Sequence, residues 1–134
     1  MVSLSMWAAD GGSMAPKAIV VVEDDAAIAE LITMMLSEVP GYAAVAVGNG
    51  AEALDVIAQV KTDLVVLDYE LPGLNGIEVY DQLRQRLGDA MPAVLFVSGA
   101  VPREALAERG VTEQLSKPFD PEALLRRVTA LLGD

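Results

Sequence analysis

The sequence of 134 residues contains no cysteine and no histidine. Without cysteine it cannot form disulfides, thiolate zinc sites or thiol nucleophiles. Without histidine it lacks the usual general base, a common ligand of transition metals and any phosphohistidine carrier. Whatever chemistry the chain performs must therefore depend on carboxylates, hydroxyls and lysines.

Basic side chains are scarce as well. Nine Lys and Arg face 20 Asp and Glu, which gives a formal net charge of −11 at pH 7. Affinity for a phosphate backbone comes from clustered Lys and Arg, so we expect no nucleic-acid partner. The chain also lacks an apolar run of about 18 residues and a basic-then-apolar signal peptide. These features predict a soluble, cytoplasmic protein with no membrane partner.

The length favours one folded domain. Residues 1–15 lack sustained periodicity and include a Gly-Gly pair, which predicts a flexible N-terminal extension before a domain over 16–134. Short apolar runs then alternate with helical patterns. The runs lie at 18–22, 43–47, 63–67, 93–97 and, more weakly, 113–116. Most are apolar on both faces, as in a sheet covered by helices on both sides. The pattern predicts an α/β, doubly wound, five-stranded parallel sheet of flavodoxin-like (βα)5 type, with strand order 2-1-3-4-5.

Three helices have recognisable start signals, namely N-capping side chains and a proline in the first turn. These signals are Asn49 with Glu52, Asn75 with Glu78, and Asp120 with Pro121. By contrast, residues 102–109 predict only a short, weak helix.

Polar residues follow four of the apolar runs. They are Glu23, Asp24 and Asp25 after the first run, Asp68 after the third, Ser98 after the fourth and Lys117 after the fifth. Each alone could be a helix cap, a turn residue or a solvated end. The carboxyl ends of parallel strands share one edge of the sheet, however, and ligands bind there. Together the residues favour a single site.

The residue types suggest the chemistry of that site. Clustered carboxylates repel one another unless a cation joins them, and Mg²⁺ is the usual partner of carboxylates near a phosphate. Asp68 is a candidate nucleophile, because a carboxylate can attack phosphorus to form an acyl phosphate. Ser98 and Lys117 could then contact the phosphoryl oxygens.

Four segments carry a resemblance to a known family: VVVEDDAAI, DLVVLDYELPGLNGIEV, AVLFVSG and QLSKPFDPEAL. They resemble the receiver domain of response regulators, from two-component and phosphorelay signalling. The resemblance covers the chain from about residue 15. It implies that Asp68 accepts a phosphoryl group from a sensor histidine kinase or phosphotransfer protein, with Mg²⁺ or Mn²⁺ as cofactor. It further implies a stand-alone signalling domain that is no enzyme beyond its own phosphorylation and dephosphorylation, and a downstream protein target.

The resemblance also assigns residues to roles. Asp24 and Asp25 would bind the metal with Asp68 and the backbone carbonyl of Glu70, Asp25 more directly than Asp24. Glu23 would be a flanking residue.

The remaining family positions surround the phosphoryl group. The Ser98 hydroxyl would move toward it, Gly99 would leave access to it, and Lys117 would contact it. The Lys117-Pro118 peptide bond would be cis.

Three features depart from the family pattern. Gln114 stands where receivers usually carry an aromatic switch residue, so activation cannot rely on a rotating ring. The segment from Ser98 to Lys117 is shorter than usual, which predicts a short or irregular fourth helix and a monomer or weak dimer. We also expect Glu70 and Ala100 to alter the lifetime of the phosphoryl group.

Two other functions share some of these features. A phosphohydrolase of the haloacid dehalogenase kind also uses a nucleophilic Asp with Mg²⁺, but its nucleophile normally follows the first strand, whereas Asp68 follows the third. A flavodoxin-like cofactor binder would need a phosphate-binding loop after the first strand, where Glu23, Asp24 and Asp25 would repel a phosphate.

Overall fold

The structure is a computed structural model that describes residues 15–100 and 102–133. The predicted extension over residues 1–15 lies outside the described residues, apart from Ala15. Among the helices of the described ranges, none has both the length and the apolar character needed to cross a bilayer.

Strands and helices alternate along the chain. The strands are β1 (Lys17–Val22), β2 (Tyr42–Val47), β3 (Leu64–Leu67), β4 (Ala93–Ser98) and β5 (Gln114–Ser116). The helices are α1 (Ala26–Ser37), α2 (Gly50–Gln59), α3 (Gly76–Leu87), α4 (Arg103–Glu108) and α5 (Pro121–Leu132), with a 3-10 turn at Gly88–Ala90. All strand pairs are parallel and the sheet order is β2-β1-β3-β4-β5. The predicted fold class is confirmed.

Side chains of β1 explain why the apolar runs do not alternate with polar residues. Ile19 and Val21 face the helices α1 and α5, whereas Val20 and Val22 face α2 and α3. All four are almost fully buried. Because each face of the strand meets a helical layer, apolar residues are required at successive positions. The sheet is therefore the centre of two apolar layers.

The three predicted helix N-caps are present in the structure, although one of them differs in detail from the prediction. Asn75 and Glu78 form a reciprocal capping box at the start of α3, and the Asp120 side chain accepts a hydrogen bond from the Glu122 amide. At the start of α2, Asn49 Oδ1 accepts from the Glu52 amide at 2.8 Å. The Glu52 carboxylate, however, accepts from the Gly48 amide rather than from that of Asn49, so this box is only half formed.

Helix α4 contains only six residues, as the short segment after Ser98 predicts. Leu106 anchors it by complete burial. At its C-terminal end, Arg109 donates two hydrogen bonds to Asp81 of α3, at 2.6 and 2.8 Å, and another to the Ala105 carbonyl. A two-pronged ion pair thus joins the short helix to its neighbour.

We expect Asp81→Asn to lower stability slightly at pH 7 and not at all in strong acid. The hydrogen bond from Arg109 holds the pKa of Asp81 below its ordinary 3.8. A carboxylate with a lowered pKa stabilises the fold above its ordinary pKa, and that contribution is lost as the pH falls through the folded-state pKa. Urea unfolding at both pH values measures the difference. Asp55→Asn, on the exposed face of α2, is the control. An equal difference from the parent at both pH values would contradict the assignment.

Candidate phosphoryl-transfer site

The candidate residues lie at the carboxyl ends of four adjacent strands, β1, β3, β4 and β5, and backbone hydrogen bonds fix them there. The amide of Glu23 donates to the Val47 carbonyl at 3.0 Å, and that of Asp68 to the Val22 carbonyl at 3.0 Å. The Lys117 amide donates to the Ser98 carbonyl, also at 3.0 Å. The ladder of backbone hydrogen bonds between parallel strands therefore continues beyond the strand ends, and it fixes the backbone positions of Glu23, Asp68 and Lys117.

Lys117 joins two acids of this edge. Its Nζ lies 2.5 Å from Glu23 Oε1 and 3.1 Å from Asp68 Oδ2. Glu23 and Asp68 are each only 4% exposed, which makes them buried carboxylates that need a partner. Lys117 supplies it. Of the candidate residues, the structure brings these three into direct contact as one ion triad.

Burial and hydrogen bonding shift the pKa values of Glu23 and Lys117 in different ways. Burial raises the pKa of Glu23 above its ordinary 4.5, and the hydrogen bond from Lys117 offsets that only in part. Burial alone would lower the pKa of Lys117, but its hydrogen bonds to Glu23 and Asp68 outweigh burial and raise it above 10.5. The ammonium consequently stays charged at neutral pH.

Three acids converge close enough to bind one cation. A carboxylate oxygen from each of Glu23, Asp24 and Asp68 lies within 4.8 Å of the others. Asp24 is exposed, whereas the other two are buried, so the cluster opens to solvent on the Asp24 side. An all-oxygen, carboxylate-rich set with an open side fits Mg²⁺, which keeps several water ligands. Because three carboxylates face one ammonium, the cluster retains negative charge for such an ion.

The structure does not bring Asp25, the expected more direct metal ligand, into this cluster. Asp25 Oδ1 accepts hydrogen bonds from the amides of Ala27 and Ile28, at 3.0 and 3.2 Å, and so caps α1. The cluster instead contains Glu23, which was expected only to flank it. The reason is geometric: Glu23 extends the buried strand edge, whereas Asp25 has already turned to begin the helix.

The loop after β3 orients Asp68 through its second oxygen. Asp68 Oδ1 accepts from the Glu70 amide at 3.1 Å, while Oδ2 meets Lys117. Gly76, at the start of α3, packs against this loop so closely that a Cβ there would lie 2.5 Å from the Asp68 carbonyl oxygen. Both the carboxylate and the backbone of Asp68 are therefore held in place.

The other predicted residues lie at the ends of β4 and β5 and differ in exposure. Ser98 is 1% exposed, and its Oγ accepts from the Ala100 amide at 3.3 Å. A Cβ built on the adjacent Gly99 would meet nothing nearer than Glu70 Oε1, at 3.9 Å, so this side of the site is open. The Lys117-Pro118 bond is cis, as expected.

Gln114, which takes the place of the aromatic residue, begins β5 opposite Phe96 of β4 and is half-buried. Its carbonyl accepts a hydrogen bond from Arg127 of α5 at 2.9 Å. The position thus lies at the junction of sheet and last helix, next to the strand that ends at Ser98.

The sequence of the chain is similar to those of known proteins. The model of the response regulator receiver domain family matches residues 19–129. The DNA-binding response regulator MtrA of Mycobacterium tuberculosis is 37% identical over 114 residues, covering 85% of this chain and 50% of MtrA. The response regulator MprA of Mycobacterium sp. (strain KMS) is 41% identical over 123 residues, covering 87% of this chain and 51% of MprA. The chain therefore spans about half the length of these curated relatives.

The fold is also similar to that of a solved structure. The response regulator TrrA of Thermotoga maritima, in complex with Mg²⁺ and BeF, matches with a TM-score of 0.76 at 33% identity. The match covers 87% of this chain and 99% of TrrA.

Proposed function

Because this chain belongs to the response-regulator receiver family, we propose that Asp68 is its phosphoacceptor and takes a phosphoryl group from the histidine of a partner sensor kinase or phosphotransfer protein. One observation carries the proposal: Asp68 is buried, yet its two oxygens are held by Lys117 and by the Glu70 amide. A carboxylate fixed in this way is oriented for attack on phosphorus.

The transfer step follows from this orientation. A carboxylate oxygen of Asp68 forms a bond to phosphorus while the bond from phosphorus to the donor nitrogen breaks, and the bonding electrons return to the partner's imidazole. Lys117 and the Ser98 hydroxyl supply hydrogen-bond donors to the phosphoryl oxygens. Positioning and charge stabilisation account for most catalysis of such a transfer, so no histidine is required in this chain.

A divalent cation would be held by the side chains of Glu23, Asp24 and Asp68 together with the Glu70 carbonyl. Mg²⁺, or Mn²⁺ with the same preference for oxygen, supplies positive charge that offsets the repulsion between carboxylate and phosphoryl group. We do not assign Asp25 to this set, because its carboxylate caps α1.

We propose further that the domain passes its signal to a protein target and does not itself bind nucleic acid. The net charge of −11 supports this, since it opposes contact with a phosphate backbone. The short helix α4 supports a monomer or weak dimer, because it offers little surface for association. A cytoplasmic location fits a receiver that meets a kinase there.

The phosphoacceptor assignment is tested by intact mass after incubation with acetyl phosphate and Mg²⁺. We expect the parent to gain one phosphoryl group, and to gain none when EDTA replaces Mg²⁺. Asp68→Asn should gain none, whereas the matched variant Asp25→Asn, which retains a capping side chain, should be labelled like the parent. Labelling of Asp68→Asn at the parental level would refute the assignment.

Glu70 is expected to shorten the lifetime of the phosphoryl group. Its carboxylate lies at the open side of the site, next to Gly99, where it can accept a hydrogen bond from an attacking water. We expect Glu70→Gln to lengthen the half-life by about threefold or more, because a neutral amide is a weaker base. Loss of the adduct after donor removal gives the half-life, and Asp55→Asn, on the exposed face of α2 and away from the site, is the control. An unchanged half-life in Glu70→Gln would contradict this role.

A further inference from the structure

Helix α1 is apolar on its outer face as well as on the face that packs against the sheet. Glu30 is the only charged residue among its twelve. Leu31 and Met34, three positions apart and so adjacent on the helix, are 50% and 58% exposed. They are the most exposed large apolar side chains of the residues that the structure describes. A helix that is apolar nearly all round is normally covered on all sides, so this outer face is suited to a further contact.

The chain enters the sheet next to the end of this helix. The Lys17 amide, at the start of β1, donates a hydrogen bond to the Gly41 carbonyl at 2.7 Å. Gly41 lies three positions after Glu38, the C-cap of α1. Whatever precedes β1 in the sequence therefore begins beside the C-terminal end of α1.

Fourteen residues precede Ala15, and their composition complements this outer face. Asp10 is the only one of them with a charged side chain, and residues 1–9, with the sequence MVSLSMWAA, have none. Trp7, in the middle of this apolar stretch, is the only tryptophan of the chain. Its indole offers the largest apolar area of any side chain with which to cover an exposed patch.

We propose that residues 1–9 fold back along α1 and cover Leu31 and Met34, with Trp7 as the principal contact. The occupant of the outer face of α1 is then a segment of this chain, and the residues before β1 form a docking element as well as an extension. The inference concerns a surface outside the phosphoryl-transfer site and does not depend on the proposed function.

The segment is long enough to reach the patch. Leu31 lies seven positions before Glu38, which is about 10 Å along a helix. Trp7 lies eight positions before Ala15, and an extended chain of that length spans about 26 Å. The excess allows the chain to reverse its direction before it meets α1. Gly11 and Gly12 suit such a reversal, because glycine adopts the backbone conformations that tight turns require.

Charge and tethering favour this segment over a second copy of the chain. Two copies, each with a net charge of −11, repel one another, whereas residues 1–9 bring no negative side chain to α1. A segment joined to the domain by a short linker is also present at an effective concentration in the millimolar range. Weak apolar contacts can therefore hold it in place within one molecule.

Quenching of Trp7 fluorescence by acrylamide tests the docking in the full chain, because the signal comes from one residue. We expect the quenching constant of the native protein to be at least about threefold lower than that of the same chain unfolded in urea, since a packed indole is shielded from the quencher. Equal quenching in the native and unfolded chains would overturn the inference.

The double variant Leu31→Gln, Met34→Gln identifies the surface. Both side chains are exposed, so the fold should be retained, which far-UV circular dichroism checks. We expect the quenching constant to rise toward that of the unfolded chain. Ala58→Gln, at an exposed position of α2 on the other face of the sheet, is the matched control and should leave Trp7 protected. Protection that survives the double variant would place Trp7 on another surface and overturn the inference.

Two further readings separate the other occupants. Protection that decreases on dilution of the protein would mean that a second copy covers the face, which would also overturn the inference. Conversely, Trp7→Ser should uncover α1 and raise binding of an apolar dye by about twofold or more, but not in the Leu31→Gln, Met34→Gln background. An equal rise in both backgrounds would show that Trp7 does not lie on this patch.

Discussion

Gly76→Ala is expected to destabilise the domain by about 3 kcal/mol, at the upper end of what overpacking usually costs. A Cβ at this position would lie 2.5 Å from the Asp68 carbonyl oxygen and 2.8 Å from Tyr69 Cα. These are backbone atoms at the end of a buried strand, so they cannot move aside cheaply. Alanine normally stabilises a helix by about 1 kcal/mol relative to glycine. A loss of stability in Gly76→Ala would therefore have the opposite sign to the effect expected from helix propensity.

Urea unfolding at pH 7 measures this effect, and Gly48→Ala is the matched control. A Cβ on Gly48 would meet no atom within 4 Å, and its backbone does not have the positive φ that disfavours other residues. We expect the control to stay within about 0.5 kcal/mol of the parent. Equal unfolding free energies for the two variants would show that the loop after β3 can yield, and that it does not fix Asp68 as described.

Asp24→Asn is expected to weaken Mg²⁺ binding at least about tenfold and to slow phosphorylation at limiting Mg²⁺ in proportion. Asp24 is the exposed acid of the cluster, so a cation would replace water ligands there without breaking an existing ion pair. Calorimetric titration gives the affinity, and the rate of adduct formation from acetyl phosphate gives the second readout.

Asp25→Asn distinguishes the role of Asp25 from that of its neighbour Asp24. Its side chain caps α1, and asparagine caps a helix about as well as aspartate, so the fold should be retained. We expect a change in Mg²⁺ affinity of only about twofold, from the lost charge at a distance. A tenfold loss of Mg²⁺ affinity in Asp25→Asn, together with parental Mg²⁺ affinity in Asp24→Asn, would identify Asp25 as the more direct ligand.

The sequence predicted the architecture because both of its signals are local. Apolar runs on consecutive positions identify strands covered on both faces, and side chains such as Asn75 and Asp120 identify helix starts. The limits of the predicted strands differ from those in the structure by one residue at most. The length from Ser98 to Lys117 similarly predicted that α4 would be short, since fewer residues were available for it.

The acidic run was harder to interpret, because Glu23, Asp24 and Asp25 are adjacent and chemically alike. The point at which β1 ends decides which carboxylates face the sheet edge and which one caps α1. That point depends on the hydrogen bond from the Glu23 amide to Val47, a contact with another strand. A signal was present, since an acid that directly continues a buried strand is placed at the edge where ligands bind.

The contacts of Lys117 and Arg109 could not be predicted from the sequence. Lys117 meets Glu23, 94 positions away, and Arg109 meets Asp81, 28 positions away. The strand ends placed Lys117 at the same edge of the sheet as Glu23 and Asp68, without defining the pairing, whereas nothing in the local pattern selects Asp81 from the 20 acids as the partner of Arg109. Such pairs are defined only when the crossover connections bring helices and strand ends together.

The central claim is that the phosphoryl group is carried by Asp68. Its most direct test is to reduce the acyl phosphate with borohydride after labelling with acetyl phosphate and Mg²⁺, and to sequence the peptides by mass spectrometry. An acyl phosphate on aspartate is reduced to homoserine, so we expect homoserine at position 68 in the parent. Homoserine at Asp24 or Asp25, with Asp68 unmodified, would contradict the account.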